Sequence, residues 1–227
     1  HAEGVKRVVL VSSVAAVSGG HTGENRIFTE ADWTNVEKSG AYPKSKTLAE
    51  RAAWDFIRST ENTNRMELVS VNPSNVFGPV LDDHHHTSTE WFRSLMRREL
   101  PGVPRMPLNF VDVRDVAEMI LQAMSIPEAA GKRFIANGAS IPLPEFANIL
   151  HQNFVGRGYQ VPTRILPDVL VRLIAVFIPK IRNVSEALNW NYSLSTEQAH
   201  SILGWQPRPY KQTIVEMAES LVEHKMV

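Results

Sequence analysis

The pair of residues in this sequence best suited to catalysis is a tyrosine and a lysine four positions apart. Tyr42 and Lys46 stand at the start of a segment with helical spacing, so their side chains should lie on one helix face, about one turn apart. An ammonium beside a phenol stabilises the phenolate, which suits a tyrosine that exchanges protons near neutral pH. The pair therefore predicts general acid and base chemistry on a carbonyl or an alcohol.

The Tyr-x-x-x-Lys spacing also arises by chance, and its alternative interpretation is a solvated pair on an exposed helix. The order of the surrounding elements favours catalysis. A run of β-branched residues ends at Ser13, a loop and the Tyr42 helix follow, and a second apolar strand ends at Asn72. Because parallel strands have their carboxyl ends at one edge of a sheet, Ser13 is expected to hydrogen-bond the same substrate oxygen as Tyr42, beside a hydride carrier.

Alternating strands and helices in the first part of the chain predict an α/β fold. We expect a doubly wound parallel sheet with right-handed crossovers, followed by a smaller, mainly helical cap. The predicted strands span residues 5–12, 66–71, 108–111 and 133–136. The predicted helices span residues 42–59, 87–98, 113–124, 143–154, 167–178, 196–203 and 210–223.

Three of these segments carry expectations about burial. The strand at 5–12 is expected to be buried on both faces, as a central strand of a parallel sheet is. The helix at 42–59 is expected to pack through an apolar stripe that includes Leu48, Ala52 and Phe56. The apolar stretch at 166–178 is interrupted by charged residues, so we expect a buried helix there and no membrane span.

Composition argues against several other kinds of chemistry. The 24 basic residues balance 24 acidic ones without a dense cationic stripe, so we expect a small-molecule substrate and no nucleic-acid partner. The chain has no cysteine, which excludes disulfides, thiolate metal sites and cysteine nucleophiles and fits a cytoplasmic location. Residues 84–86 are three histidines without the spaced partners of a metal site, and no Gly-x-Ser-x-Gly motif of serine hydrolases is present.

Four ordered segments resemble the extended short-chain dehydrogenase/reductase superfamily, the NAD-dependent epimerase/dehydratase type. They are residues 11–17, 42–46, 72–79 and 110–117. The branch most similar to this chain is that of the dihydroflavonol-reductase-like aldehyde and ketone reductases. The resemblance covers nearly the whole chain, weakens after Asn137, and returns in a C-terminal element at 203–207.

The resemblance implies a Rossmann-type fold and the reduction of an aldehyde or ketone to an alcohol with NAD(P)H. It implies that Ser13 orients and polarises the carbonyl, that Tyr42 donates the proton, and that Lys46 holds the nicotinamide ribose. Ser18 matches a position that faces substrate. No metal is expected.

The implied cofactor is NADP, with NAD as the alternative. By resemblance, Pro73, Ser74 and Val76 border the nicotinamide together with Tyr42 and Lys46. The glycine-rich phosphate-binding turn of the superfamily has no counterpart here, because the glycines at 19, 20 and 23 follow the wrong strand. We therefore expect the first strands of the Rossmann sheet to lie upstream of this chain.

The same resemblance predicts a division of the chain into two parts. Residues 1–80 and 108–137 are expected to form the C-terminal part of the Rossmann domain. Residues 81–107 and 138–227 are expected to form the substrate-binding cap.

Two other functions stay open. Sugar-nucleotide epimerases share the Ser-Tyr-Lys triad and a turn similar to residues 75–79, whereas dehydratases carry an acidic pair where Val14 and Ala15 stand here. A non-catalytic NAD(P)-binding sensor or scaffold is the alternative outside enzymes. Asp112 and Asp115 are expected to cap and fix a helix start rather than act as acids.

Overall fold

A computed structural model describes residues 4–81, 87–177, 184–185 and 187–227. The strands are β1 (Arg7–Val11), β2 (Ile27–Phe28), β3 (Glu67–Pro73), β4 (Asn75–Phe77), β5 (Pro107–Asp112), β6 (Arg133–Ala136), β7 (Ala139–Pro142) and β8 (Ser193–Leu194). The helices are α1 (Ala41–Arg58), α2 (Thr87–Met96), α3 (Val113–Ser125), α4 (Leu143–Phe154), α5 (Asp168–Phe177) and α6 (Tyr210–Glu223). Short 3-10 turns cover Val14–Ala16, Pro127–Ala129 and Val155–Arg157, and a π-helical turn covers Ala199–Leu203.

The main sheet has the order β1-β3-β6, and all its strands run parallel. Because successive side chains of a strand point to opposite faces of the sheet, β3 contacts helices on both faces. Val69 and Val71 pack into a core shared with α3, whereas Asn72 hydrogen-bonds a side chain of α1. Helices therefore cover both faces of the sheet, which confirms the predicted doubly wound α/β arrangement.

The expectation that β1 is buried on both faces is wrong for the described residues. There β1 pairs with β3 alone, and Val8 and Val11 are 37% and 48% exposed. A continuous β-branched run is typical of a strand in the middle of a parallel sheet. Among the described residues, however, β1 is at the edge of the sheet, with β3 as its one neighbouring strand.

A second sheet has the order β4-β5-β7, in which β5 is parallel to β4 and antiparallel to β7. Its side chains join α2, α4 and α6 in the largest apolar core. Phe92 packs edge-on against Phe77 at 5.1 Å and against Phe146 at 4.9 Å between ring centroids. This core supports α2, and α2 carries Trp91 to the site described below.

The first helix does not pack through the predicted apolar stripe. Leu48 is 49% exposed and Ala52 is exposed, whereas the buried residues of α1 are Thr47, Glu50 and Trp54. The interpretation failed because the polar residues of this helix find buried hydrogen-bond partners, which the spacing of its apolar residues does not reveal.

The helix α5 also differs from its expected burial. Only Val171 and Ala175 are buried, and Val169, Val176 and Phe177 are at least 74% exposed. A mostly apolar helix predicts burial, but among the described residues only the narrow face of α5 that carries Val171 and Ala175 is buried. Among the described residues, no helix combines the length and the apolar character that crossing a membrane requires.

Candidate functional site

An open cavity of about 670 Å³ lies at the carboxyl ends of β1 and β3. That volume is in the range of small-molecule sites. The lining comes from the segment after β1, the start of α1, the segment after β3, and three aromatic residues from later in the chain. The lining residues include Ser13, Ser18, Gly19, Gly20, Lys38, Tyr42, Pro43, Ser74, Asn75, Val76, Trp91, Trp190 and Tyr192.

Ser13 is held in place by the turn that it begins. Its Oγ accepts a hydrogen bond of 3.1 Å from the backbone amide of Ala15, and its extended backbone (φ −169°, ψ 153°) is typical of a capping residue. A hydroxyl that accepts one hydrogen bond keeps its own hydrogen for donation. Ser13 can therefore donate a hydrogen bond to an oxygen in the cavity.

Tyr42 and Lys46 occupy the first two turns of α1, as the sequence predicts. Tyr42 lines the cavity and is 61% exposed, so its hydroxyl is accessible to a small molecule. Lys46 is half-buried one turn later and, like the buried Pro73, lies outside the lining of the cavity in the described structure. Pro73 directly precedes the lining residue Ser74, and Lys46 follows the lining residue Tyr42 by one helical turn.

The predicted nicotinamide-binding residues Ser74 and Val76 face the same cavity as Tyr42. The Ser74 amide donates to the carbonyl oxygen of Ala136 at 3.0 Å, which ties this segment to the end of β6. The phenol, hydroxyls and aliphatic side chain of this lining suit a flat ring that bears a carboxamide group. Gly19, Gly20 and Gly23 lie in the segment after β1, well before α1 begins at Ala41, so they do not form a diphosphate-binding turn at the start of a helix.

Tyr192 and Trp190 are lining residues that the sequence analysis missed. Their rings stack with centroids 4.1 Å apart and planes 27° apart. They reach the cavity because β8 pairs with β2, and because Trp190 Nε1 donates to the carbonyl oxygen of Glu24 at 3.0 Å. The local sequence does not predict a pairing between segments so far apart in the chain.

Ser18, which was predicted to face substrate, lines the cavity and is hydrogen-bonded to Tyr192. Burial raises the pKa of Tyr192 above its ordinary value, although hydrogen bonds with Asn109 and Ser18 oppose this. Tyr192 is therefore a neutral phenol near pH 7 and serves as a fixed hydrogen-bonding and aromatic wall. Tyr42 is the more exposed of the two tyrosines, so its hydroxyl is the more accessible one.

Asp112 and Asp115 have the structural roles that were expected of them. Asp112 caps α3 by accepting from the Arg114 amide at 2.9 Å, and its carboxylate also pairs with the Arg114 guanidinium at 2.7 Å. Asp115 accepts from the amide of Arg208 at 2.9 Å and from its Nε at 2.8 Å. These contacts join the start of α3 to the segment that precedes α6.

In the part of the chain that the structure describes, no group of three or more metal-ligating side chains is arranged to hold an ion. The histidines at 84–86 lie outside the described residues.

A sequence profile described as the NAD dependent epimerase/dehydratase family matches residues 1–137. The chain is 30% identical to the NADPH-dependent methylglyoxal reductase GRE2 of Saccharomyces cerevisiae, over 98% of this chain and 65% of that protein. It is 33% identical to the ketoreductase azaE of Aspergillus niger, over 75% of this chain and 54% of that protein.

Among solved structures, yeast methylglyoxal/isovaleraldehyde reductase Gre2 complexed with NADPH is similar, with a TM-score of 0.77 and 29% identity. That match covers 98% of this chain and 65% of the other. The chain thus spans about two thirds of the length of this relative.

Proposed function

Because this chain belongs to the NAD dependent epimerase/dehydratase family, we propose that the protein carrying it reduces an aldehyde or ketone to the alcohol with NADPH. The observation that carries the proposal is the meeting of Ser13, Tyr42, Ser74 and Val76 in one open cavity at the carboxyl ends of parallel strands. Ligands of open α/β sheets bind at that edge.

In this proposal the chain's own residues handle the carbonyl oxygen. Tyr42 donates its phenolic proton to that oxygen as the carbonyl carbon is reduced, and Ser13 donates a hydrogen bond to the same oxygen. Lys46, one turn further along α1, stabilises the phenolate that Tyr42 becomes. When bound, the cofactor supplies the hydride.

Tyr42, Lys46, Pro73, Ser74 and Val76 are the residues proposed to hold the nicotinamide end of the cofactor. The preference for NADP over NAD is supported by the NADPH-dependent reductase GRE2 and by the NADPH complex of its yeast structure. The substrate side is formed by Ser13, Ser18 and Tyr42, and we infer that Trp190 and Tyr192 complete it.

Three further expectations accompany the proposal as predictions. The Rossmann part is residues 1–80 with 108–137, and the cap is residues 81–107 with 138–227. The partner is a small carbonyl compound, and neither a nucleic acid nor a membrane takes part. The location is cytoplasmic.

The decisive experiment follows the absorbance of the reduced nicotinamide while the natural protein that carries these 227 residues meets NADPH or NADH and a panel of aldehydes and ketones. We expect NADPH oxidation, and we expect Tyr42→Phe to lower kcat by about 10²- to 10⁴-fold with little change in NADPH affinity. Unchanged turnover in Tyr42→Phe would overturn the mechanism. Cofactor binding without oxidation of NADPH would favour an epimerase or a non-catalytic sensor instead.

A further inference from the structure

The helix that carries Tyr42 is anchored on the sheet by a fully buried carboxylate. Glu50 lies one turn after Lys46 and about two turns after Tyr42, on the same side of α1. Its Oε2 accepts from the Ser12 hydroxyl at 2.6 Å and from Asn72 Nδ2 at 2.8 Å. Its Oε1 accepts from Arg133 Nε at 2.7 Å and from Trp54 Nε1 at 3.3 Å.

Two of these donors are chain neighbours of the proposed active-site residues. Ser12 directly precedes Ser13, and Asn72 directly precedes Pro73. The Nδ2 of Asn72 also donates to the carbonyl oxygen of Ser13 at 3.1 Å. One carboxylate of α1 therefore contacts the carboxyl ends of both β1 and β3, beside Ser13.

Arg133 balances the buried charge of Glu50 and extends the network to the loop after β1. Its Nη1 donates to the carbonyl oxygens of Glu30 and Asp32, both at 2.7 Å, and its guanidinium lies 3.8 Å from the ring centroid of Trp33. Burial alone would raise the pKa of Glu50, but the hydrogen bonds and charge of Arg133, with the hydrogen bonds of Ser12 and Asn72, lower it below its ordinary value. Glu50 is thus ionised and acts as an acceptor only.

A buried ion pair adds little stability compared with well-packed apolar residues in the same space. Its hydrogen bonds are directional, however, and therefore fix the relative positions of the groups that make them more tightly than apolar packing does. Thr47, Glu50 and Trp54 are the buried residues of α1, so Glu50 lies within the small face through which this helix packs.

We propose that Glu50 is a positioning residue that sets the Tyr42 hydroxyl relative to the Ser13 hydroxyl, acting through Ser12 and Asn72. The inference rests on the proposed function of Tyr42 and Ser13. Glu50 does not line the cavity in the described structure, so it acts on the reaction only through these neighbours.

The test compares two double variants in the natural protein that carries the chain. Glu50→Gln/Arg133→Met removes both charges but keeps an oxygen that accepts from Ser12 and Asn72, whereas Glu50→Leu/Arg133→Met removes that oxygen too. Both lose the contacts of Arg133 equally, so their difference isolates the acceptor at position 50. Asp55→Asn, an exposed carboxylate of the same helix, is the control for a change of charge and should behave like the parent protein.

We expect kcat of the leucine double variant to be about 10- to 100-fold below that of the glutamine double variant, since a displacement of about 1 Å costs on the order of 10²-fold. Their NADPH dissociation constants should agree, whereas the leucine double variant should melt at a lower temperature, because the buried donors of Ser12 and Asn72 lose an acceptor. Equal kcat values in the two folded variants would overturn the positioning role and leave a structural one. Tyr42→Phe is measured beside them, because its unchanged turnover would instead refute the proposed function.

Glu50→Asp decides the matter if either double variant fails to fold. It keeps the charge pair with Arg133 but shortens the side chain by one methylene, so it cannot reach Ser12 and Asn72 without moving α1. We expect a folded protein with kcat lowered by about 10-fold and a KM for NADPH close to that of the parent. A kcat equal to that of the parent would refute the positioning role.

Discussion

The backbone at Gly19 runs so close to Pro43 that a Cβ atom on the glycine would stand 2.8 Å from the Cβ of the proline. The same atom would stand 2.9 Å from the carbonyl oxygen of Ala15. The loop after β1 and the first turn of α1 are therefore in direct contact beside Tyr42. Only a residue without a side chain fits between them.

Gly19→Ala should push the first turn of α1 away from the loop and with it the hydroxyl of Tyr42. We expect a free energy of unfolding lower by about 1–3 kcal/mol, as for other overpacked sites, and a kcat lower by on the order of 10-fold or more. Urea denaturation and NADPH oxidation measure the two effects. Gly156→Ala, where an added Cβ meets nothing within 4 Å, is the control and should change stability by less than about 1 kcal/mol.

Ser13 has two separable roles, because its oxygen caps a turn while its hydrogen is free for a substrate. Ser13→Ala should lower kcat by about 10²- to 10³-fold, as the loss of one donor to a developing oxyanion does. It should lower the free energy of unfolding by only about 1 kcal/mol, the usual cost of a lost cap. Ser13→Thr keeps the hydroxyl and should retain more activity than the alanine variant. Equal activity in the two variants would show that the hydroxyl plays no part in turnover.

Local periodicity predicted much of the fold. Three elements begin and end at the predicted residues: β6 (Arg133–Ala136), α4 (Leu143–Phe154) and α6 (Tyr210–Glu223). The apolar residues of the two helices recur at the spacing of one buried face, whereas β6 is a short run of residues that are all buried. The strand serine and the Tyr-Lys helix were also placed correctly, because the order of elements along the chain determines which strand ends share an edge.

Long-range pairing accounts for what the sequence did not reveal. Trp190 and Tyr192 enter the cavity through the pairing of β8 with β2, two strands of only two residues each. Glu50 gave no signal of burial, because an isolated glutamate on a helix is usually solvated and its partner Arg133 lies on a distant strand. Both cases depend on contacts between distant segments, which periodicity does not encode.

The stacked pair of Trp190 and Tyr192 predicts a preference among substrates. Trp190→Ala removes one ring of the wall, so we expect the KM for a flat aromatic aldehyde to rise by about 2- to 10-fold, in line with the energy of an aromatic contact. The KM for a three-carbon aldehyde, which is too small to cover the ring, should change less. Trp190→Phe keeps an aromatic surface and serves as the matched control. A KM that rises equally for both substrates in Trp190→Ala would show that the pair has no role in selecting them.

Asp112 makes stability depend on pH in a defined direction. Burial alone would raise its pKa, but hydrogen bonds from the side chain and amide of Arg114 and from Thr213 outweigh burial and lower the pKa below its ordinary value. The folded protein therefore binds this proton less readily than the unfolded chain does. The stabilising contribution is present above the unfolded value of about 4 and is lost as the pH falls through the lower folded value.

Asp112→Asn should accordingly cost most near neutral pH. We expect its free energy of unfolding at pH 7 to be about 1–3 kcal/mol below that of the parent, from a weakened cap and a lost charged hydrogen bond. Because Arg114 is 38% exposed, the ion pair itself adds little to this figure. In urea denaturation at a series of pH values, the difference between parent and variant should shrink steadily below about pH 4. A difference that stays constant from pH 7 to pH 3 would mean that the cap acts through its shape alone and that the charge of Asp112 contributes nothing.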